Sequence, residues 1–337
     1  MSISIFPEGW LDADGRYSAE RRLAHDRGTN ALVQQIINAR DVTYKNRKVT
    51  TLVDVQGIYL GLLEFFRVNE IPVRNDHLLS RFAVQLICAV QEDVAQRERD
   101  DLGVQGVDYE KLWTICERRD EAKLRSISVI RHITHTTELF FAPSPLSEIC
   151  RKAKFLSKDD KIRQLIIDNA TQGLAVTQWG TRNYRFYDDF VGSLATLLEA
   201  KSSERGFFGV HVKDALLRLD EKEVDIRLAV RAMDVMAGAE ADALLIVSSD
   251  QDYMPLHQRC RDAGLRTYHS DVANFFRVGK TGRKIKDLGD HFILADFSRG
   301  FFWLLINEYQ QGYLPLSAQE YSALWTLHQR SGYDPNR

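Results

Sequence analysis

Residues 241–252, ADALLIVSSDQD, constrain the fold more than any other stretch of the chain. Ala243 to Val247 is an unbroken apolar run that suits a strand buried on both faces, as in a parallel sheet covered by helices. It stops abruptly at Ser248, Ser249, Asp250, Gln251 and Asp252, which puts two carboxylates at the carboxyl end of a buried strand. In open α/β sheets the ligand crevice lies at that end. Met254 to Ala263, followed by Gly264, reads as a short helix closed by a glycine. The unit is therefore strand, acidic turn, helix.

The same signature occurs earlier. Val49 to Val55 (VTTLVDV) is a β-branched run that delivers Asp54 into a turn, and Ile58 to Phe66 continues as an apolar helix. Leu174–Thr177 and Phe207–Val212 are further strand candidates, and Lys222 to Ala237 has strong helical periodicity. In that helix Asp225 shares a face with Ala229, Ala232 and Met236, whereas Arg227, Arg231 and Asp234 form a polar stripe in which a surface ion pair is expected. A carboxylate on an apolar stripe needs backbone N–H groups at the helix start or a cation to satisfy it, and both readings stay open. Ser18–Arg40, Asp76–Arg99, Tyr109–Arg131, Arg299–Glu308 and Ser317–Gln329 read as helices. The expected organisation is a helical N-terminal extension over 1–48, an α/β domain over 49–72 and 173–296, a helical insertion over 73–172 and a helical tail over 297–337.

Composition bounds the partners only loosely. The 337 residues are 44% hydrophobic and 27% charged, with a formal net charge of -2, so any polyanion site must arise from local charge segregation. Cys88, Cys116, Cys150 and Cys260 show no metal-finger pairing and no disulfide framework, which fits a reducing cytoplasm. Met1 to Gly15 lacks a signal pattern, and no stretch approaches the roughly 20 apolar residues that span a bilayer, so no membrane role is expected. His132 and His135 could pair on a helix as metal ligands but have no accompanying acid or cysteine cluster. GKT at 279–281 lacks the preceding strand and glycine of a phosphate loop. Trp179, Tyr184, Phe186 and Tyr187 are read as core residues before base-stacking ones.

VDVQGIY (53–59), KEVDIRLAV (222–230), LLIVSSDQDYMPL (244–256), AGLRTY (263–268) and KDLGDHFILAD (286–296) occur in the order found in NYN domains. In these segments, at about 49–70 and 205–296, the chain resembles the LabA-like branch of the PIN-like nucleases. The resemblance implies a parallel sheet flanked by helices, an acidic pocket binding Mg2+ or Mn2+, and hydrolysis of phosphodiester bonds, chiefly in RNA. Carried over by position, the pocket would comprise Asp54, Asp225, Asp250 and Asp252 as metal ligands and catalytic groups. Oxygen-only ligands on separate elements suit such hard cations. Gln56, Ser248, Ser249 and Asp234 are candidate supporting polar groups.

Four positions depart from the family pattern. Gly57 stands where an asparagine is usual, Arg231 for an aspartate, Ser249 for a glycine and Tyr253 for a phenylalanine. Basic residues Arg277, Lys280, Arg283 and Lys284, with Lys222 and Arg231, are candidate contacts to an RNA backbone. The insertion is the candidate surface for a protein partner or self-association. The alternatives to a metal-dependent ribonuclease are a degraded NYN-like module that binds RNA or a nucleotide without cutting, and a scaffold subunit whose acids are structural.

Overall fold

The computed structural model describes residues 28–29, 31–38, 42–72, 76–103, 105–141, 158–165, 187, 189–199, 208–211, 221–248, 250–271 and 301–332. In chain order the labelled elements are β1 (Thr43–Asp54), α1 (Val55–Val68), α2 (Asp76–Asp101), β2 (Val107–Asp108), α3 (Tyr109–Glu117), α4 (Glu121–Ser126) and β3 (Val129–Phe140). They continue with β4 (Phe208–His211), α5 (Glu221–Ala237), β5 (Ala243–Val247), α6 (Met254–Asp262), β6 (Arg266–Ser270), α7 (Phe301–Gln310) and α8 (Ala318–Ser331).

Among the described residues the strands form one sheet in the order β2-β3-β1-β5-β6, with β4 also on β3, and every pairing is parallel. Strand alternation divides the core. Val49, Val53, Ala243, Leu245 and Val247 face α1, α2, α7 and α8, with Phe190 and Leu194 filling the same layer. Leu52, Phe140, Leu244 and Ile246 face α5 and α6. Ala243–Val247 is buried throughout because helices cover both sides, as its unbroken apolar run requires. This is a PIN-like α/β/α arrangement. No helix among the described residues is long and apolar enough to cross a membrane.

The segment 73–172 differs from a helical insertion. Its helix α2 packs directly on the sheet, where the Gln91 amide donates to Thr51 Oγ1 (3.1 Å) and Thr137 Oγ1 (2.7 Å). After the short α3 and α4, the chain enters β3, which pairs with β1 along all twelve residues of each strand. The helical period expected through Arg131 gives way because Val129, Ile130, Ile133, Thr134, Thr136 and Thr137 favour a pleated surface. Polar residues in the strand hid this signal, and each is accommodated by tertiary contacts. His132 lies in the strand rather than on a helix, stacked on Tyr109 at 4.2 Å between centroids. His135 is buried on the opposite face, three residues on, so the two do not form the helical ligand pair.

Other elements follow the sequence closely. Helices α1, α2, α5, α7 and α8 fall within a few residues of their expected limits. Helix α8 opens with a capping box in which Ser317 and Glu320 satisfy each other's backbone N–H. Gly264 ends the turn after α6 at a φ of 84°, a conformation that costs a side-chain-bearing residue strain. Among the described residues Cys88, Cys116 and Cys260 are free thiols. Tyr187 packs edge-on against Tyr59 in the core. Leu174–Thr177, Cys150, Trp179, Tyr184, Phe186 and the GKT segment lie outside the described residues.

Candidate active site

Topology and register together build the site. From β1 the chain moves to β3 on one side, then returns to β5 on the other, so the strand order reverses between β1 and β5. A crevice opens at the carboxyl ends of strands at such a switch point. Val53 pairs with Val247, which sets Asp54 beside Ser248 at that crevice. Asp54 follows Leu52 by two residues and shares its face, the side covered by α5 and α6.

No loop separates β1 from α1, so Asp54 is also the helix N-cap. Its Oδ1 accepts the Gly57 N–H at 3.1 Å, and its Oδ2 accepts the Ser248 hydroxyl at 3.1 Å. Gly57 thus contributes a backbone donor where the family pattern has an asparagine. Ser248 Oγ in turn accepts the Asp250 N–H at 3.1 Å, and Asp250 Oδ1 accepts the Asp252 N–H at 2.9 Å, fixing the short 3-10 turn Gln251–Tyr253. Across the crevice, the Tyr253 hydroxyl donates to Asp225 Oδ1 on α5 at 2.8 Å. Asp54, Asp225, Asp250, Ser248 and Tyr253 therefore form one neighbourhood. Asp252 is exposed and joins the turn through its backbone.

The charges acting on Asp54 and Tyr253 among the described residues are negative ones. Burial pushes the Asp54 carboxyl up to about 6, and the Asp225 charge pushes in the same direction, against the Gly57 and Ser248 hydrogen bonds that hold it down. Burial also raises Tyr253 strongly, as do the negative charges of Asp225, Asp54 and Asp250. The donor set is entirely oxygen, the chemistry of a hard cation. Among the described residues, however, no group of three or more His, Cys, Asp or Glu side chains stands in metal-holding geometry.

A buried histidine pair backs the turn. His269 Nε2 lies 2.8 Å from the Ser248 carbonyl, and His269 Nδ1 lies 3.0 Å from His257 Nε2. A carbonyl only accepts, so His269 carries its proton on Nε2 and its Nδ1 accepts from His257. Burial lowers His269 to about 4, which keeps it neutral in this role. Neither histidine carried a sequence signal for the site. Asp271, 2% exposed, follows β6 directly and also lies at the strand ends. It repeats the strand-then-acid pattern of Ser248–Asp250, a signal legible in the sequence.

The remaining candidates divide as follows. Gln56 sits in the first turn of α1 and its backbone N–H helps to hold Asp54 down. Asp234 is exposed on α5, away from this neighbourhood's hydrogen bonds. Arg231, partly exposed, pairs with residues other than Asp234. Its guanidinium grips both oxygens of Glu138 on β3 (Nε at 3.0 Å to each, Nη2 to Oε1 at 2.8 Å) and reaches Glu240 at 2.6 Å. Because Glu138 is 2% exposed, this cation neutralises a buried acid. Lys222 lies on α5. Ser249, Arg277, Lys280, Arg283 and Lys284 fall outside the described residues.

Comparison with known proteins agrees with this architecture. No curated protein matches the chain. A crystal structure of a protein of unknown function from Vibrio parahaemolyticus aligns at 14% identity over 77% of this chain and 98% of that one, with a TM-score of 0.30, too low to carry an argument. The NYN domain model matches residues 92–296, a span that begins within α2, takes in β3, β5, α6 and β6, and leaves β1, with Asp54, and α1 outside it. With that match over more than half its length, the chain belongs to the NYN domain family, within the PIN-like nuclease superfamily.

Proposed function

We propose that the protein is a divalent-metal-dependent ribonuclease that uses Mg2+ or Mn2+ and cleaves RNA in the crevice between β1 and β5. The observation that carries this reading is the assembly of Asp54, Asp225 and Asp250 from three separate elements around Ser248 and Tyr253, with Asp54 destabilised as an anion. A buried carboxylate raised by burial and by another acid is a group whose charge calls for a cation. Asp54 accepts from the Gly57 and Gln56 backbone N–H groups and from the Ser248 hydroxyl, and a carboxylate has about four acceptor sites, so it retains capacity for a ligand. Asp54, Asp225 and Asp250, with Asp252 at the rim, would hold the cation. A cation there supplies Lewis acidity and a neutralising charge at the scissile phosphate.

The chain's own groups hold and orient this site. Ser248 ties Asp54 to the β5 turn, and the His257–His269 pair fixes the Ser248 backbone from behind. Lys222, Arg277, Lys280, Arg283 and Lys284 are the proposed contacts to the RNA backbone. The test is cleavage of a labelled RNA by the full chain with Mg2+ or Mn2+, compared with Asp54→Asn and Asp250→Asn. Metal-dependent cleavage lost in both supports the reading, and cleavage retained in both overturns it.

Two observations favour a second reading, an NYN module that binds RNA without cutting. Arg231 occupies an expected acidic position, and the described carboxylates are not gathered as a three-ligand set. RNA binding that survives chelation, with no turnover in either metal, would select it.

A further inference from the structure

The turn that closes the site ends in Tyr253, and its side chain has two halves with different surroundings. The ring is buried in the layer between the sheet and helices α5 and α6, alongside Leu244 and Ile246. The hydroxyl points out of that layer to the carboxylate of Asp225, on a different element, at 2.8 Å. Asp225 itself is exposed on α5. An exposed aspartate on a helix ordinarily samples several rotamers, and holding it for a ligand carries an entropic cost. A donor fixed by a buried ring removes part of that cost in advance. One Asp225 oxygen is occupied by the hydroxyl, which leaves the other as an acceptor for a ligand. The negative charges of Asp54 and Asp250 act on the same hydroxyl, which places it among all three acids. A phenylalanine, usual at this position in the family pattern, has no such donor.

We propose that Tyr253 is a positioning residue that orients Asp225 toward the proposed divalent-cation site through its hydroxyl. The inference rests on the metal-dependent reading above. Partners that orient a ligand in this way typically account for 10–100-fold in metal affinity. A purely structural role for Tyr253 would reside in the ring and would not depend on Asp225.

The experiment is titration of the full-length protein with Mn2+ alone, by calorimetry, for the unaltered chain, Tyr253→Phe, Asp225→Asn and the double variant, with thermal unfolding in EDTA as a check on folding. The expected result is a roughly tenfold or greater loss of Mn2+ affinity in Y253F and little further loss when Y253F is added to D225N. Unchanged or tighter binding by Y253F, or an equal loss in the D225N background, overturns the inference while leaving the site intact. Absence of Mn2+ binding by the unaltered protein overturns the metal-dependent reading itself. If Y253F does not fold, the same dependence is read from Tyr253→Met, which fills the layer with adaptable apolar volume and has no hydrogen-bond donor, and unchanged affinity there overturns the inference.

Discussion

Asp54→Asn is expected to stabilise the metal-free protein at neutral pH while removing a proposed ligand. The Asp54 carboxyl is raised from 3.8 to about 6, chiefly by burial. At about 1.4 kcal/mol per unit this bounds the cost of ionised Asp54 at about 3 kcal/mol. The side chain keeps partial solvent contact, so screening reduces the usable figure to about 1–2 kcal/mol. Asparagine preserves the structural role, since it caps a helix about as well as aspartate and its Oδ1 can still accept the Gly57 N–H. Its amide can donate to Ser248 Oγ, which has a second lone pair beyond the one used by Asp250 N–H. Unfolding entropy of about 2.1 cal/mol/K per residue converts about 1–2 kcal/mol into a rise of roughly 1.5–3 °C for a chain of this length.

The pH dependence has a definite sign. A folded-state value above the unfolded one means that the folded protein binds the proton more tightly between pH 4 and 6. Stability from this group is therefore full below about pH 4 and lost as pH rises through about 6. Thermal unfolding of both proteins in EDTA from pH 4 to 8 should give coincident midpoints near pH 4 and a higher midpoint for Asp54→Asn at pH 7.5. Added Mn2+ should then raise the unaltered protein and close the gap. A variant less stable than the parent at pH 7.5, by a margin that grows with pH, would refute the reasoning, because the ionised carboxylate would then be a net favourable cap.

Arg231→Met should lower stability by about 2–4 kcal/mol, since it leaves Glu138 buried without its cation, and adding Glu138→Gln should recover part of the loss in chemical denaturation. Gln91→Ala should cost about 2–3 kcal/mol by opening a cavity under the sheet and releasing Thr51 and Thr137, whereas Gln91→Met should cost about 1 kcal/mol, both read as shifts in denaturant midpoint at constant slope.

Much of the fold is carried by local pattern. The runs at 49–53 and 243–247, the acids that end them, and the periodic helices α1, α2, α5 and α8 each declare themselves within a dozen residues, because burial on one face or on both imposes its own spacing. Strand β3 did not, since its threonines, histidines and Glu138 are polar in composition and become acceptable in a core only through partners far along the chain: Gln91, Tyr109 and Arg231. The same limit applies to the site. Asp54, Asp225 and Asp250 were nameable from residue type and position at element ends, but their dependence on Ser248, Tyr253 and the His257–His269 pair was not.

The amino-acid sequence by itself determined that acidic turns follow buried strands and that helices flank them. Only the tertiary structure decided that β1 and β5 are neighbours across a reversal of strand order, which sets Asp54 against Ser248 and brings Asp225 within reach of Tyr253. The reason is physical: strand and helix follow from interactions between residues a few positions apart, whereas register and charge pairing are settled by contacts across as many as 227 positions, where packing and the cost of an unpaired buried group select one arrangement.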